Sequence, residues 1–281
     1  MPTNYKTPGV YIEEISLFPP SVAQVETAIP AFIGYTQIAK VGVENFHANP
    51  LNPIVRPIRI TSLLEYEQFF GKAVPEPNIF VRVTKTEANA SSGQVSATTE
   101  ANASFGQVST TGDIIPASPS PHNMHYALQA YFANGGGPCY VVSVGPMETQ
   151  AGDSEEPTPT PIVLKGDDTD ANASNAGLLD GLNAIRQEDE VTLIVFPQSL
   201  ALVQTDSLSD TTAAGDVATA FGDYKELYDL ALQQCQDLQD RFVVMDAYLD
   251  IDGVSLNNAA DYFRSAGIGT SNLKYGAAYG P

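Results

Sequence analysis

Ala130-Tyr131-Phe132-Ala133-Asn134-Gly135-Gly136-Gly137-Pro138-Cys139-Tyr140-Val141-Val142-Ser143-Val144 passes from helix to strand within fifteen residues. Upstream, Met124, Leu128 and Tyr131 recur at helical spacing and share one face. Asn134 to Pro138 cannot continue a helix, because three glycines and a proline remove both its propensity and a donor. Cys139 to Val144 is then continuously apolar, the pattern of a strand covered on both faces. The alternation repeats downstream. Leu178, Leu182 and Ile185 mark a helix before Val191-Thr192-Leu193-Ile194-Val195-Phe196 and a stopping Pro197. Leu227, Ala231, Cys235 and Leu238 mark another before Phe242-Val243-Val244-Met245. Ala259 to Ser265 precedes Leu273-Lys274-Tyr275-Gly276. Buried strands separated by amphipathic helices predict an α/β fold with a mostly parallel or mixed sheet flanked by helices.

Upstream, Ile29 to Thr36 reads as a first buried strand, His47 to Arg56 as a loop, and Ile58-Arg59-Ile60 as a short strand. Thr61 to Gly71 is a short helix with Thr61 or Ser62 as N-cap, Glu65 at capping-box distance, and Leu63, Tyr66 and Phe70 as its apolar stripe. Residues 86–111 are a tandem duplication. Thr86-Glu87-Ala88-Asn89-Ala90-Ser91 recurs at 99–104, and Gly93-Gln94-Val95-Ser96 at 106–109. Small, polar and poor in anchors, it is expected on the surface as a hairpin or a loop. Residues 147–176, acidic and carrying Pro157, Pro159 and Pro161, read as a linker or outward excursion.

The N-terminus is of another kind. Lys6-Thr7-Pro8-Gly9-Val10-Tyr11-Ile12-Glu13-Glu14-Ile15 alternates like a strand with two different faces, set off by Pro8-Gly9 and by Phe18-Pro19-Pro20. A lone terminal strand must find a sheet for its backbone groups, either the edge of its own sheet or that of another subunit. Val10, Tyr11, Ile12, Glu13 and Ile15 are the candidate inter-subunit arm, and Phe18, Pro19, Pro20 and Ser21 its hinge. The organisation expected is an arm over 1–20, a first core part over 21–72, an outward insertion over 73–121, and an α/β part over 122–281.

A net charge of −20 disfavours direct nucleic-acid binding and repels anionic membranes. No basic stretch precedes an apolar one near the N-terminus, so a signal peptide is not expected, nor is any apolar run long enough to span a bilayer. Asn89, Asn102 and Asn172 match glycosylation triplets that then go unused. Cys139 and Cys235 read as reduced core residues. Gly135-Gly136-Gly137 runs from helix to strand, the reverse of a phosphate loop. The histidines, His47, His122 and His125, have no zinc-site spacing, and a Cys139 nucleophile with His122 or His125 as base lacks the electropositive setting it needs. Asp250-Ile251-Asp252-Gly253, after Asp246, resembles part of a calcium loop whose later ligands are missing; a solvated turn is expected. No cofactor, metal or catalytic site is expected.

Thr7 to Glu14, Pro30 to Gly34, Thr61 to Gly71, Ala130 to Val142 and Asp240-Arg241-Phe242-Val243-Val244-Met245-Asp246 ahead of Lys274-Tyr275-Gly276-Ala277-Ala278-Tyr279 together resemble the tail sheath proteins of contractile phage tails and phage-tail-like particles. The resemblance implies a non-enzymatic subunit that polymerises as stacked hexameric rings around an inner tube, with baseplate and terminator or cap proteins as further partners. It implies that Val10 to Glu13 donate a strand to a neighbouring subunit. It also implies synthesis in the bacterial cytoplasm and residence in a virion tail or tail-like particle. Such proteins continue beyond the stretch matching Lys274 to Tyr279, so a truncated chain is expected rather than a shortened paralogue. Two alternatives stay open: an α/β enzyme or nucleotide-binding protein with an arm-exchanged oligomer, and a sheath-like baseplate or cap component.

Overall fold

The computed structural model describes residues 28–49, 51–73, 80–87, 108–115, 120–149, 158–167, 174 and 176–280. Six strands form the main sheet: β1 (Pro30–Thr36), β2 (Pro57–Ile60), β3 (Cys139–Pro146), β4 (Leu193–Val195), β5 (Phe242–Asp246) and β6 (Gly276–Tyr279). Their spatial order is β6-β5-β4-β1-β3-β2. All neighbours are parallel except β2, which pairs antiparallel with β3 through Ile58↔Val141 and Ile60↔Cys139. The fold is α/β, with a mixed, mostly parallel sheet. The five parallel strands run second-first-third-fourth-fifth in chain order, one of the two common doubly wound arrangements.

Helices α1 (Leu63–Phe70), α2 (Met124–Ala133), α3 (Leu178–Ala184), α4 (Ala214–Ala220), α5 (Gly222–Leu238) and α6 (Leu256–Tyr262) accompany the strands. Ser62 caps α1 by accepting from the Glu65 N–H at 3.3 Å. Glu65 reaches back to the N–H and hydroxyl of Thr61 at 2.8 and 2.9 Å, so Thr61 and Ser62 share the cap. Gly71 ends this helix at φ 81°, a left-handed conformation that costs glycine nothing. Tyr66 and Phe70 are buried from it.

The two faces of the sheet alternate along β1. Phe32 meets Tyr131 of α2 edge-on at 5.4 Å, and a side chain at Gly34 would run into Met124 of α2. Ile33, between them, points at Gly181 of α3. On that second face α3 and α5 pack over β1, β3 and β5, and Phe196, Phe221, Tyr224 and Tyr228 form an aromatic cluster with Phe263.

Three stretches differ from expectation in detail. The last strand starts only at Gly276, after a 3-10 turn over Leu273–Tyr275. Helix α6, expected over Ala259 to Ser265, starts at Leu256 and opens into a π turn over Phe263–Gly267. Within 147–176, Glu148–Thr149 pairs with Thr158–Pro159, and residues 160–165 lie on the body. There Leu164 is buried, and the Leu178 and Leu179 amides donate to the carbonyls of Val163 and Leu164. Phe80–Glu87 pairs antiparallel with Val108–Ile115, registered from Phe80↔Ile115 to Glu87↔Val108, so only the two ends of the repeat, 86–87 and 108–111, fall on described strands; residues 88–107 lie outside the described residues.

Candidate functional site

In doubly wound sheets of this order, ligands lie beyond the carboxyl ends of the strands where the winding reverses, here between β1 and β4. That crevice is filled by the protein's own Gln198, which follows β4 and is buried. Its Oε1 accepts from the Tyr35 N–H at 2.6 Å, and its Nε2 donates to the Tyr35 carbonyl at 3.2 Å. The Gln198 amide thus pairs with the upper end of β1 as a further strand would. Gly34 makes this fit: a β-carbon there would collide with Gln198 Oε1. Beside it the Tyr35 ring meets His122 edge-on at 5.9 Å, and His122 Nε2 bonds the Thr160 carbonyl at 2.9 Å. Burial pushes the Tyr35 hydroxyl up to about 12, so it stays protonated. The far side is closed by α5, where Ser199 Oγ and Tyr228 OH lie 2.8 Å apart and the Tyr224 hydroxyl donates to the Asp246 carbonyl.

A second polar chain joins β1, β3 and the loop after β1. Thr36 Oγ1 donates to the Ile38 carbonyl at 2.7 Å and therefore accepts from Ser143 Oγ at 2.6 Å. Ser143 in turn accepts from His47 Nε2 at 2.8 Å. This order leaves His47 Nδ1 unprotonated, buried and without a partner, and burial lowers the imidazole to about 4. A neutral histidine hydrogen-bonded to a buried serine resembles a nucleophile–base pair, but Ser143 is sealed inside the sheet at 1 % exposure.

The other candidate chemistries are placed as follows. Cys139 and Cys235 are buried free thiols, each pushed up to about 12 by burial, the opposite of an activated nucleophile. His125 is buried at the start of α2 and bonds Glu67 of α1 at 3.2 Å. Asp246, Asp250 and Asp252 are exposed at and beyond the end of β5. Among the described residues, no three or more His, Cys, Asp or Glu side chains are grouped to hold a metal ion. Also among the described residues, no helix is long and apolar enough to cross a membrane.

Assembly sites are judged by edges and faces. The β2 edge is blunted: Pro57 has no N–H, and Arg59 pairs with Glu190 at 3.3 Å. The β6 edge, Gly276-Ala277-Ala278-Tyr279, carries no charge, proline or bulge, and among the described residues it pairs only with β5. The arm residues Val10, Tyr11, Ile12, Glu13 and Ile15 and the hinge Phe18, Pro19, Pro20 and Ser21 lie outside the described residues. Sequence reasoning did not find Gln198; a glutamine after Pro197 reads as a loop residue, and its partner is 163 positions away.

No family model matches this sequence. No curated protein matches it.

Proposed function

We propose that this chain is a structural subunit of a contractile tail sheath, linked to its neighbours by an exchanged N-terminal strand and performing no catalysis. The observation that carries the proposal is the ordered run of five sheath-like stretches, four of which fall on described elements. Pro30 to Gly34 is the central strand, and Thr61 to Gly71 is α1 with its caps. Ala130 to Val142 runs from α2 into β3, Asp240 to Asp246 contains β5, and Lys274 to Tyr279 runs from the 3-10 turn into β6. The first stretch, Thr7 to Glu14, is the arm.

The geometry is in keeping with this reading. The crevice that a nucleotide would use holds the Gln198 amide, and an unblunted edge strand is available at β6. The net charge of −20 keeps a densely expressed assembly protein soluble. A heterologous contact that does not close on itself grows into stacked helical rings. The energy for contraction is then the difference between an extended and a better-packed arrangement of subunits, stored at assembly, with no nucleotide hydrolysed. The partners in this reading are further copies of the chain, an inner tube protein, and baseplate and cap proteins, all made in the bacterial cytoplasm.

Electron microscopy of the full-length gene product tests it. Striated tubes with a hexameric axial projection are expected. Exclusively monomeric particles, with a nucleotide-dependent rise in unfolding temperature, would replace the sheath reading with the nucleotide-binding one.

A further inference from the structure

Two helical stripes meet between α3 and α5. Leu179, Leu182 and Arg186 recur at helical spacing along α3 and the 3-10 turn Ile185–Gln187 that extends it, and Leu230, Gln234 and Asp237 do so along α5. Facing stripes ordinarily interlock, yet these line a cavity of about 120 Å³. Leu179 and Leu182 are buried, and Leu230 is exposed. At the polar end Arg186 pairs with Asp237 at 3.2 Å. The other Asp237 oxygen accepts from Gln233 Nε2 at 2.8 Å, and Gln233 Oε1 accepts from Asn272 Nδ2 at 3.1 Å. The rim groups on α5 therefore satisfy one another, and the Arg186 charge is neutralised within the rim.

Gln234 stands apart from this network. It lines the cavity at 3 % exposure, and among the described residues its Nε2 is buried without a hydrogen-bond partner. An unpaired buried donor destabilises the fold that holds it, whereas a leucine at this position would extend the apolar wall without that penalty.

We infer that this cavity is a binding site for a primary carboxamide on a short aliphatic stem. The carbonyl accepts from Gln234 Nε2, and the stem lies against the three leucines. The unpaired group is a donor, so the ligand must bring an acceptor oxygen, and an amide carbonyl is the strongest neutral acceptor a short aliphatic group can carry. The charges at the rim cancel, so nothing there rewards an anion, and the net charge of −20 repels one. The rim residues Asn183 and Asp237 offer acceptors for the amide NH2. The volume admits a group of about five heavy atoms. Such a group occurs on a free aliphatic amide and on the glutamine or asparagine side chain of another protein, with the same chemistry in both. The inference does not depend on the sheath reading.

Propionamide titrated into the 15N-labelled protein tests it, with the Gln234 side-chain NH2 signals as the readout, identified by their loss in Gln234→Leu. A saturable shift with a millimolar midpoint is expected. Read from neighbouring backbone amides, Gln234→Leu is expected to bind at least about tenfold more weakly, while unfolding at a higher temperature without ligand because the unpaired donor is gone. Propionate, equal in size but charged, is expected to bind at least about tenfold more weakly than propionamide. Leu230→Trp, at an exposed position that spares the fold, fills the cavity and is expected to abolish the response; an unchanged response would overturn the site. A response to propionate equal to that of propionamide would overturn it too, as would the absence of a saturable shift with both propionamide and N-acetylglutamine methylamide. Binding of the glutamine compound at least about tenfold tighter than propionamide assigns the site to a protein side chain, and binding no tighter assigns it to a free amide; either result upholds a carboxamide site.

Discussion

Gln198 grips the backbone of Tyr35 by both its polar groups, accepting from the N–H at 2.6 Å and donating to the carbonyl at 3.2 Å. A loop residue thereby completes the hydrogen bonding of the central strand where its neighbour β4 has already ended at Val195. Gln198→Ala leaves two buried main-chain groups unpaired. The expected loss is about 2–4 kcal/mol, read as a lower urea midpoint with an unchanged slope. Gly34→Ala forces Gln198 and Met124 aside and is expected to cost about 1–3 kcal/mol in the same assay.

His47 makes stability depend on pH in a defined window. Its folded value, about 4, lies below the ordinary 6.5, so the unfolded chain binds its proton first. This contribution is fully present above pH 6.5 and is lost as pH falls toward 4. Its full size is on the order of 3 kcal/mol, reduced in practice by partial exposure of the ring. His47→Gln, which keeps a donor for Ser143, is expected to flatten the stability profile between pH 6.5 and 4. An unchanged profile would remove His47 as its cause.

Arg241 is 4 % exposed and joins the start of β5 to the end of α3. Its guanidinium donates to the carbonyls of Ile185 at 2.9 Å and Glu188 at 3.2 Å, and to Asp240 through Nε at 2.8 Å. Arg241→Met keeps the volume but strips these bonds, with an expected loss of about 2–4 kcal/mol. Arg241→Lys is expected to recover less than half, since one ammonium cannot span the same acceptors. Thermal unfolding checks both.

Both cysteines are expected to react with a disulfide reagent no faster than the protein unfolds. Their thiols are buried and held near 12. Rapid labelling of either in native buffer would contradict the buried placement.

The parallel sheet was legible because its strands are apolar runs bounded by proline, glycine or polar residues, as by Pro197 after Phe196 and by Gly135 to Pro138 before Cys139. Helix α5 was legible from Leu227, Ala231 and Cys235. Helix α4 was not, since Ala214–Ala220 buries only Val217 and Ala220 and leaves no stripe to read. Gln198 and the packing of Thr160 to Leu164 arise from contacts between distant segments, which local pattern cannot carry. The site in the sense of an arm was legible only as sequence, in the period-2 alternation of Val10 to Glu13.

The central claim is that a terminal strand links copies of this chain. Removing residues 1–20 from the full-length protein and imaging the product by electron microscopy tests it most directly. The account predicts folded particles, with an unchanged circular dichroism spectrum, that no longer form ordered sheath. Intact sheath that still contracts after the deletion would contradict it.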